Sequence, residues 1–355
     1  MKFFQNYVNL FIISSISVSE SVWKNFDLVR PWKNAWGSKG MKPFAKITIP
    51  TLKKGSQFGS SVTDVGDWDY DGINEIAVGA PGDDYIDVVT GKPRPAAGAI
   101  YILFMSANNT VKSYQRICGT RGAPPVYEND NFGYAMAAIG DMDNDGVIDL
   151  AVGAPGQVTS SVFILYMRRN ATVKHYKLIR GEYNPDLNFP KNRENESYIP
   201  NGPPISYKSR FGSTIANIGD LDGDNITDLA VGAPNLDNGF NLVYILFMER
   251  SGIVRDYSTI GSGIGGGPDL SNLASGVFSF FGSSVSQIGD LNKDNITDLA
   301  VGAKYYNDIG NKESRSGAVF ILYMFRNGTV RYEMNLQIII LVYFLQHKLL
   351  ALIQR

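Results

Sequence analysis

Four short acidic stretches carry the residues best suited to chemistry. Asp67, Asp69, Asp71 and Glu75 stand at positions 1, 3, 5 and 9 of a nine-residue loop. Asp141, Asp143, Asp145 and Asp149 repeat that spacing, as do Asp220, Asp222, Asp224 and Asp228. A fourth set, Asp290, Asn292, Asp294 and Asp298, has a carboxamide in place of one carboxylate and Lys293 inside the loop, so it is expected to bind most weakly. Hard oxygen donors at this spacing suit calcium, which takes roughly six to eight of them, and do not suit zinc or copper. The backbone carbonyl at position 7, from Ile73, Val147, Ile226 and Ile296, is expected to face the same centre. Position 6 is Gly72, Gly146, Asn225 and Asn295, the residue types that best tolerate a left-handed backbone. Carboxylates crowded in this way repel one another unless a cation neutralises them. Up to four Ca2+ ions are therefore expected; the competing reading is a solvated acidic turn between strands.

Catalysis is a poor fit. Paired carboxylates can serve a glycosidase, but four equivalent loops do not make one convergent site. The single cysteine, Cys118, excludes an intramolecular disulfide framework and any multi-thiolate zinc site. The two histidines, His175 and His347, leave little for imidazole chemistry. No serine elbow, HExxH, Walker loop or dinucleotide fingerprint is present. With 33 Lys plus Arg against 34 Asp plus Glu, the net charge of −1 argues against nucleic-acid binding.

Some repeated element must hold the four loops alike. Each loop lies in a 24-residue pattern: FGSSVTDVGDWDYDGINEIAVGAP from Phe58, FGYAMAAIGDMDNDGVIDLAVGAP from Phe132, FGSTIANIGDLDGDNITDLAVGAP from Phe211 and FGSSVSQIGDLNKDNITDLAVGAK from Phe281. After each comes an apolar run, a turn (Asn109, Asn170, Gly252, Asn327-Gly328) and a strand alternating around Val and Tyr. In the first unit this predicts strands near 60–65, 75–79, 99–105 and 111–117. Such a four-stranded antiparallel unit cannot bury both faces alone, so neighbouring units must stack. Radial stacking gives a β-propeller; linear stacking is the alternative. The fold class expected is all-β, a propeller of four-stranded antiparallel blades. Runs such as IAVGA and IYILFM, apolar on both faces, fit strands sandwiched between blades.

The rest of the chain divides around these units. Residues 1–19 read as a marginal signal peptide. Residues 20–45, with Trp23, Trp32 and Trp36, read as an arm or partial blade, and 46–335 as the propeller. Residues 336–355 form a hydrophobic tail broken by Gln346, His347 and Lys348, short of the about 20 apolar residues of a bilayer span. Membrane association through that tail stays open. Loops join the units, the longest at 181–210, and a further loop lies inside the first unit at 82–97. Trp68, in the first acidic loop, is expected to point outward or cap its blade. Asn-x-Ser/Thr triplets begin at Asn108, Asn170, Asn195, Asn225, Asn295 and Asn327. Backbone geometry accounts best for Asn225 and Asn295, and the other four could carry sugars in a secreted protein.

Phe58-Gly59 with Gly79-Ala80-Pro81, Phe132-Gly133 with Gly153-Ala154-Pro155, and Phe211-Gly212 with Gly232-Ala233-Pro234 resemble FG-GAP repeats, the blades of the integrin alpha-subunit propeller. The fourth copy pairs Phe281-Gly282 with Gly302-Ala303-Lys304, a mild departure. The resemblance implies an extracellular, calcium-stabilised propeller acting in adhesion or recognition of a protein or glycan ligand. Integrin propellers have seven blades and this chain shows four, so a truncated longer propeller is one reading and a closed four-bladed ring the other. Phe44–Ile49 (FAKITI) is similar to a last blade strand without its first three. A propeller accessory to an enzyme, as in glycosylphosphatidylinositol-specific phospholipase D, and a purely structural extracellular repeat protein are the alternative functions. In the leading reading Tyr183, Phe189, Tyr198 and Tyr207 of the long loop serve as contact anchors.

Overall fold

The computed structural model describes Ile47, Ile49 and residues 52–331 except 88–89, 120–122, 157–159, 181–195, 199–204, 206–207, 235–240, 271–278 and 307–316. The expected leader, the tryptophan-bearing segment and the hydrophobic tail lie outside the described residues, as do Tyr183, Phe189 and Tyr207. Among the described residues no helix is long and apolar enough to cross a membrane.

The repeats fold as four successive antiparallel sheets. In the first, β1 (Val62–Gly66), β2 (Glu75–Ala80), β5 (Ala99–Met105) and β6 (Val111–Ile117) lie side by side in that order. The inserted loop at 82–97 is itself a small hairpin of β3 (Tyr85–Ile86) and β4 (Pro93–Arg94). Asp83, buried there, pairs with Arg116 at 2.9 Å and accepts from the Tyr101 hydroxyl at 2.8 Å, which fixes the insertion to its blade.

The second blade runs β7 (Met136–Ala138), β8 (Leu150–Ala154), β9 (Ser161–Met167) and β10 (Val173–Arg180), with β11 (Glu196–Tyr198) added in parallel on β10. The third runs β12 (Thr214–Gly219), β13 (Asp228–Pro234), β14 (Asn241–Met248) and β15 (Val254–Ile260). The fourth departs from the expected four strands. Among the described residues it has β16 (Phe281–Gly289), β17 (Asp298–Ala303) and β18 (Ala318–Leu322), with a Met324–Val330 bridge where a fourth strand begins.

The blades stack because their inner strands are apolar on both faces. Every residue of β8 and β9 is buried. Leu150, Val152 and Ala154 enter the cluster shared with the first blade, whereas Ala151 enters the one shared with the third. A third cluster joins the third and fourth blades. The phenylalanine of each FG pair packs edge-on against the third strand of its own blade: Phe132 on Phe163 at 5.4 Å, Phe211 on Tyr244 at 5.3 Å. The glycine of each GAP triplet then lets the next blade close in. A Cβ on Gly153 would stand 2.0 Å from the Gly212 carbonyl oxygen, and one on Gly232 2.1 Å from that of Gly282. Among the described residues the outward faces of the end blades stay uncovered, with Val62 62%, Leu291 43% and Val319 39% exposed.

Three of the Asn-x-Thr triplets lie at the outer hairpin turns. Thr110, Thr172 and Thr329 donate their hydroxyls to Asn108, Asn170 and Asn327 at 2.6–2.7 Å, the local bonds of a tight turn.

Candidate metal centre

Each acidic loop joins the first strand of a blade to the second, so its ends are fixed by an antiparallel pair. The aspartate at position 1 organises the turn. Its two oxygens accept the backbone N–H groups of positions 5 and 6, at 3.1 and 2.8 Å for Asp67, 3.0 and 2.7 Å for Asp141, 2.9 and 2.8 Å for Asp220, and 3.1 and 2.8 Å for Asp290. Position 5 accepts from the N–H of position 7 through Oδ1, at 2.9–3.0 Å in all four loops. These bonds leave Oδ2 of position 5 for a basic partner on the outer strand.

Position 6 is left-handed throughout: Gly72, Gly146, Asn225 and Asn295 have φ of 84°, 79°, 63° and 62°. Position 4 is left-handed as well, a requirement that residue types hid: Tyr70, Asn144, Gly223 and Lys293 have φ of 62°, 59°, 93° and 63°. Only the third loop has glycine there. Lys293→Gly is therefore expected to stabilise the protein by about 0.5 kcal/mol, because a left-handed non-glycine residue costs ~1–2 kcal/mol and glycine returns part of it as chain entropy. The urea midpoint would rise; a fall would show that the lysine side chain contributes more than its backbone costs.

Position 9 behaves differently from the other donors. Glu75, Asp149, Asp228 and Asp298 are fully buried. Asp149 accepts from Met142 N and Met167 N, both at 2.9 Å, Asp228 from Leu221 N and Met248 N at 3.0 Å, and Asp298 from Leu291 N at 2.8 Å and Met324 N at 3.1 Å. Glu75 takes the Trp68 N–H at 2.6 Å. In the second and third blades this carboxylate thus ties the loop to the third strand. Burial pushes Asp149 up to about 7 and Asp228 up to about 6, and raises Glu75 and Asp298 as well.

Three loops gather acidic oxygens within 4.8 Å of one another: Asp67, Asp69 and Asp71; Asp141, Asp143 and Asp149; and Asp220, Asp222 and Asp228. Asp145 and Asp224, at position 5, stand outside those groups and share a basic partner with the position-3 carboxylate of the same loop. In the fourth loop Asn292 takes the place of a carboxylate, and its Nδ2 donates to Asp294 at 2.9 Å. The donor set fits a hard cation. In the second loop Asp143 Oδ1 is buried with no hydrogen-bond partner, an anionic oxygen that a cation would satisfy.

A basic residue on the outer strand reaches each loop. Lys112 meets Asp69 at 3.2 Å and also Asp71; Lys174 meets Asp143 and Asp145 at 2.7 and 3.1 Å; Arg255 meets Asp222, and Asp224 at 3.1 Å; Arg331 meets Asp294 at 3.4 Å. The Lys112 ammonium holds the Asp71 carboxyl below the usual range.

The loops are also tied to the blade interfaces. Trp68, expected to point outward or cap its blade, does not point outward: it is 2% exposed and lies in the cluster between the first two blades. Met142 and Leu221, at the same position 2, enter the next two interfaces. The reason is the following blade, whose apolar face takes up this side chain; Leu291, with none opposite among the described residues, is exposed. Arginines on the hairpin tips add a second tie. Arg169 stacks 4.0 Å over the Tyr70 ring of the preceding loop, and Arg250 donates to Asn144 at 3.3 Å.

Comparison with known proteins places this geometry. The model of the FG-GAP repeat matches residues 211–246 and 281–322, which hold the acidic loops of the third and fourth blades. The chain carries FG-GAP repeats. Human integrin alpha-11 is 32% identical to the FG-GAP chain over 222 residues, 61% of this chain and 16% of that protein. Integrin alpha-3 of Cricetulus griseus is 32% identical over 227 residues (62% and 18%), and integrin alpha-8 of Gallus gallus 27% over 262 residues (72% and 21%). The FG-GAP chain therefore spans at most about a fifth of the length of these relatives. Among the described residues the fold is an integrin alpha-like, four-bladed antiparallel β-propeller.

Proposed function

We propose that the chain is a non-enzymatic, calcium-binding propeller that works outside the cell, where its blade-joining loops recognise a protein or glycan ligand in adhesion. The observation that carries this reading is the recurrence, blade after blade, of one acidic turn with the same internal hydrogen bonds. Repetition suits a structural ion and does not suit a reaction centre, which must be unique. Positions 1, 3 and 5, with the position-7 carbonyl, would hold the ion in each loop, and the position-9 carboxylate would join them. The fourth loop, with Asn292 and Lys293, would bind most weakly.

When bound, calcium supplies charge neutralisation. The chain's own residues translate that into rigidity: position 9 carries the loop's order into the sheet, and position 2 carries it into the neighbouring blade. The connections between blades are then free to vary and to carry recognition, with the 181–210 segment as the contact region and Tyr183, Phe189, Tyr198 and Tyr207 as its anchors. Extracellular modules of this type work with dissociation constants of about 10⁻⁴–10⁻³ M, which suits a compartment rich in calcium. An extracellular site also favours 1–19 as a leader.

The test is calcium titration of the full chain after chelation, following metal stoichiometry and thermal unfolding. Three or four ions per chain and a raised melting temperature are expected, with ~2.7 kcal/mol of stabilisation per site at a hundredfold excess over the dissociation constant. A folded protein that takes up no calcium at millimolar concentration would end this reading.

A further inference from the structure

A basic residue recurs on the outer strand of all four blades, and calcium binding by itself does not call for it. The residue after the first valine of that strand is always Lys or Arg: Val111-Lys112, Val173-Lys174, Val254-Arg255 and Val330-Arg331. In the first three blades this one cation spans two carboxylates, those of positions 3 and 5. It contacts them through Oδ2. At position 5 this is the oxygen the loop leaves available, since Oδ1 is already taken by the position-7 N–H; at position 3 the Oδ1 of Asp69 and of Asp222 accepts the position-5 N–H. Ordinary surface pairs scatter from repeat to repeat; these fall each time on the same atoms of the same loop.

We propose that Lys112, Lys174, Arg255 and Arg331 are built-in counter-cations, which close on the loops in the metal-free protein and must swing away for a divalent ion to enter. The proposal rests on the calcium reading. Two consequences follow from competition for one set of oxygens. The loops stay neutralised when calcium is low, so the stacked blades hold together without the metal. Calcium affinity is also lowered by the fraction of time the clamp is open, about five- to tenfold for a surface cation shared by two carboxylates. Arginine's planar fork suits two carboxylates better than an ammonium does, so the third loop, held by Arg255, should fill after the second, held by Lys174.

The experiment compares the full chain with the variant Lys112→Met, Lys174→Met, Arg255→Met, Arg331→Met, which keeps much of the apolar stem and removes the charge. Calcium binding is measured by titration calorimetry, and thermal unfolding is followed in chelator and at saturating calcium. The variant is expected to bind calcium about tenfold more tightly at unchanged stoichiometry, to melt lower than wild type in chelator, and to regain most of that loss when calcium is added. If the fourfold variant does not fold in chelator, Lys174→Met alone supplies the same comparison, with tightening of one site only. The control K112R/K174R should keep wild-type behaviour or bind slightly more weakly. Equal affinity in wild type and Met variants would remove the clamp and leave the calcium reading standing. No binding by either protein would remove both.

Discussion

Gly153→Ala is expected to destabilise the protein by about 3 kcal/mol, at the upper end of what overpacking costs. The added methyl would stand 2.0 Å from the Gly212 carbonyl oxygen and 3.0 Å from its carbonyl carbon. Both are backbone atoms of the next blade, so no rotamer change relieves the contact. The second and third blades must separate, and separation loosens the cluster that Ile164, Tyr166, Val231 and Leu246 fill between them. The internal comparison is Gly302→Ala in the fourth blade, where the new methyl meets the Ser284 hydroxyl at 2.3 Å. A hydroxyl can rotate, so that variant should lose less than about 1 kcal/mol. Urea unfolding of both variants decides the matter. Equal losses would show that glycine is needed within its own sheet and not for the approach of the neighbour.

Asp149→Ala is expected to cost about 3–5 kcal/mol in chelator, where any contribution from calcium is absent. It leaves two buried backbone donors, Met142 N and Met167 N, with no acceptor. Each such donor costs ~1–3 kcal/mol, and a small void adds to it. Asp149→Asn keeps one carbonyl oxygen for one of the two donors and should lose about half as much. Thermal or urea unfolding of the two variants in chelator gives the answer. If Asp149→Ala cost less than about 1 kcal/mol there and showed its loss only in calcium, position 9 would be a metal ligand and little else. The same substitution at Asp228, with the same pair of bonds from Leu221 and Met248, repeats the test one blade along.

Together these sites describe how a local turn can bear on the whole stack. Position 9 joins the loop to the third strand, position 2 plugs the next blade interface, and Arg169 or Arg250 reaches back to the preceding loop. An ion that ordered one loop would therefore act on two interfaces.

Much of this is legible in the amino-acid sequence. The repeated FG and GAP motifs mark the blades. The alternation of carboxylates at positions 1, 3 and 5 marks the turns, and glycine or asparagine at position 6 marks the left-handed backbone that Gly72 and Asn225 adopt. Runs such as LAVGA announce strands buried on both faces. All of these are short-range statements, in which residues a few positions apart determine a turn or a strand, and spacing along the chain reports them directly.

What only the tertiary structure decides depends on register across the sheet and on the neighbouring blade. Lys174 and Asp143 are 31 residues apart, and nothing in their local spacing brings them together; the pairing of β8 with β9 and of β9 with β10 does. The double backbone contact of Asp149 needs β9 alongside the loop. Trp68 turns inward because the second blade offers an apolar face, whereas Leu291, at the equivalent position with no such face among the described residues, stays exposed. The left-handed φ at Tyr70 and Lys293 is hidden because closure of the loop overrides the preference of the residue standing there.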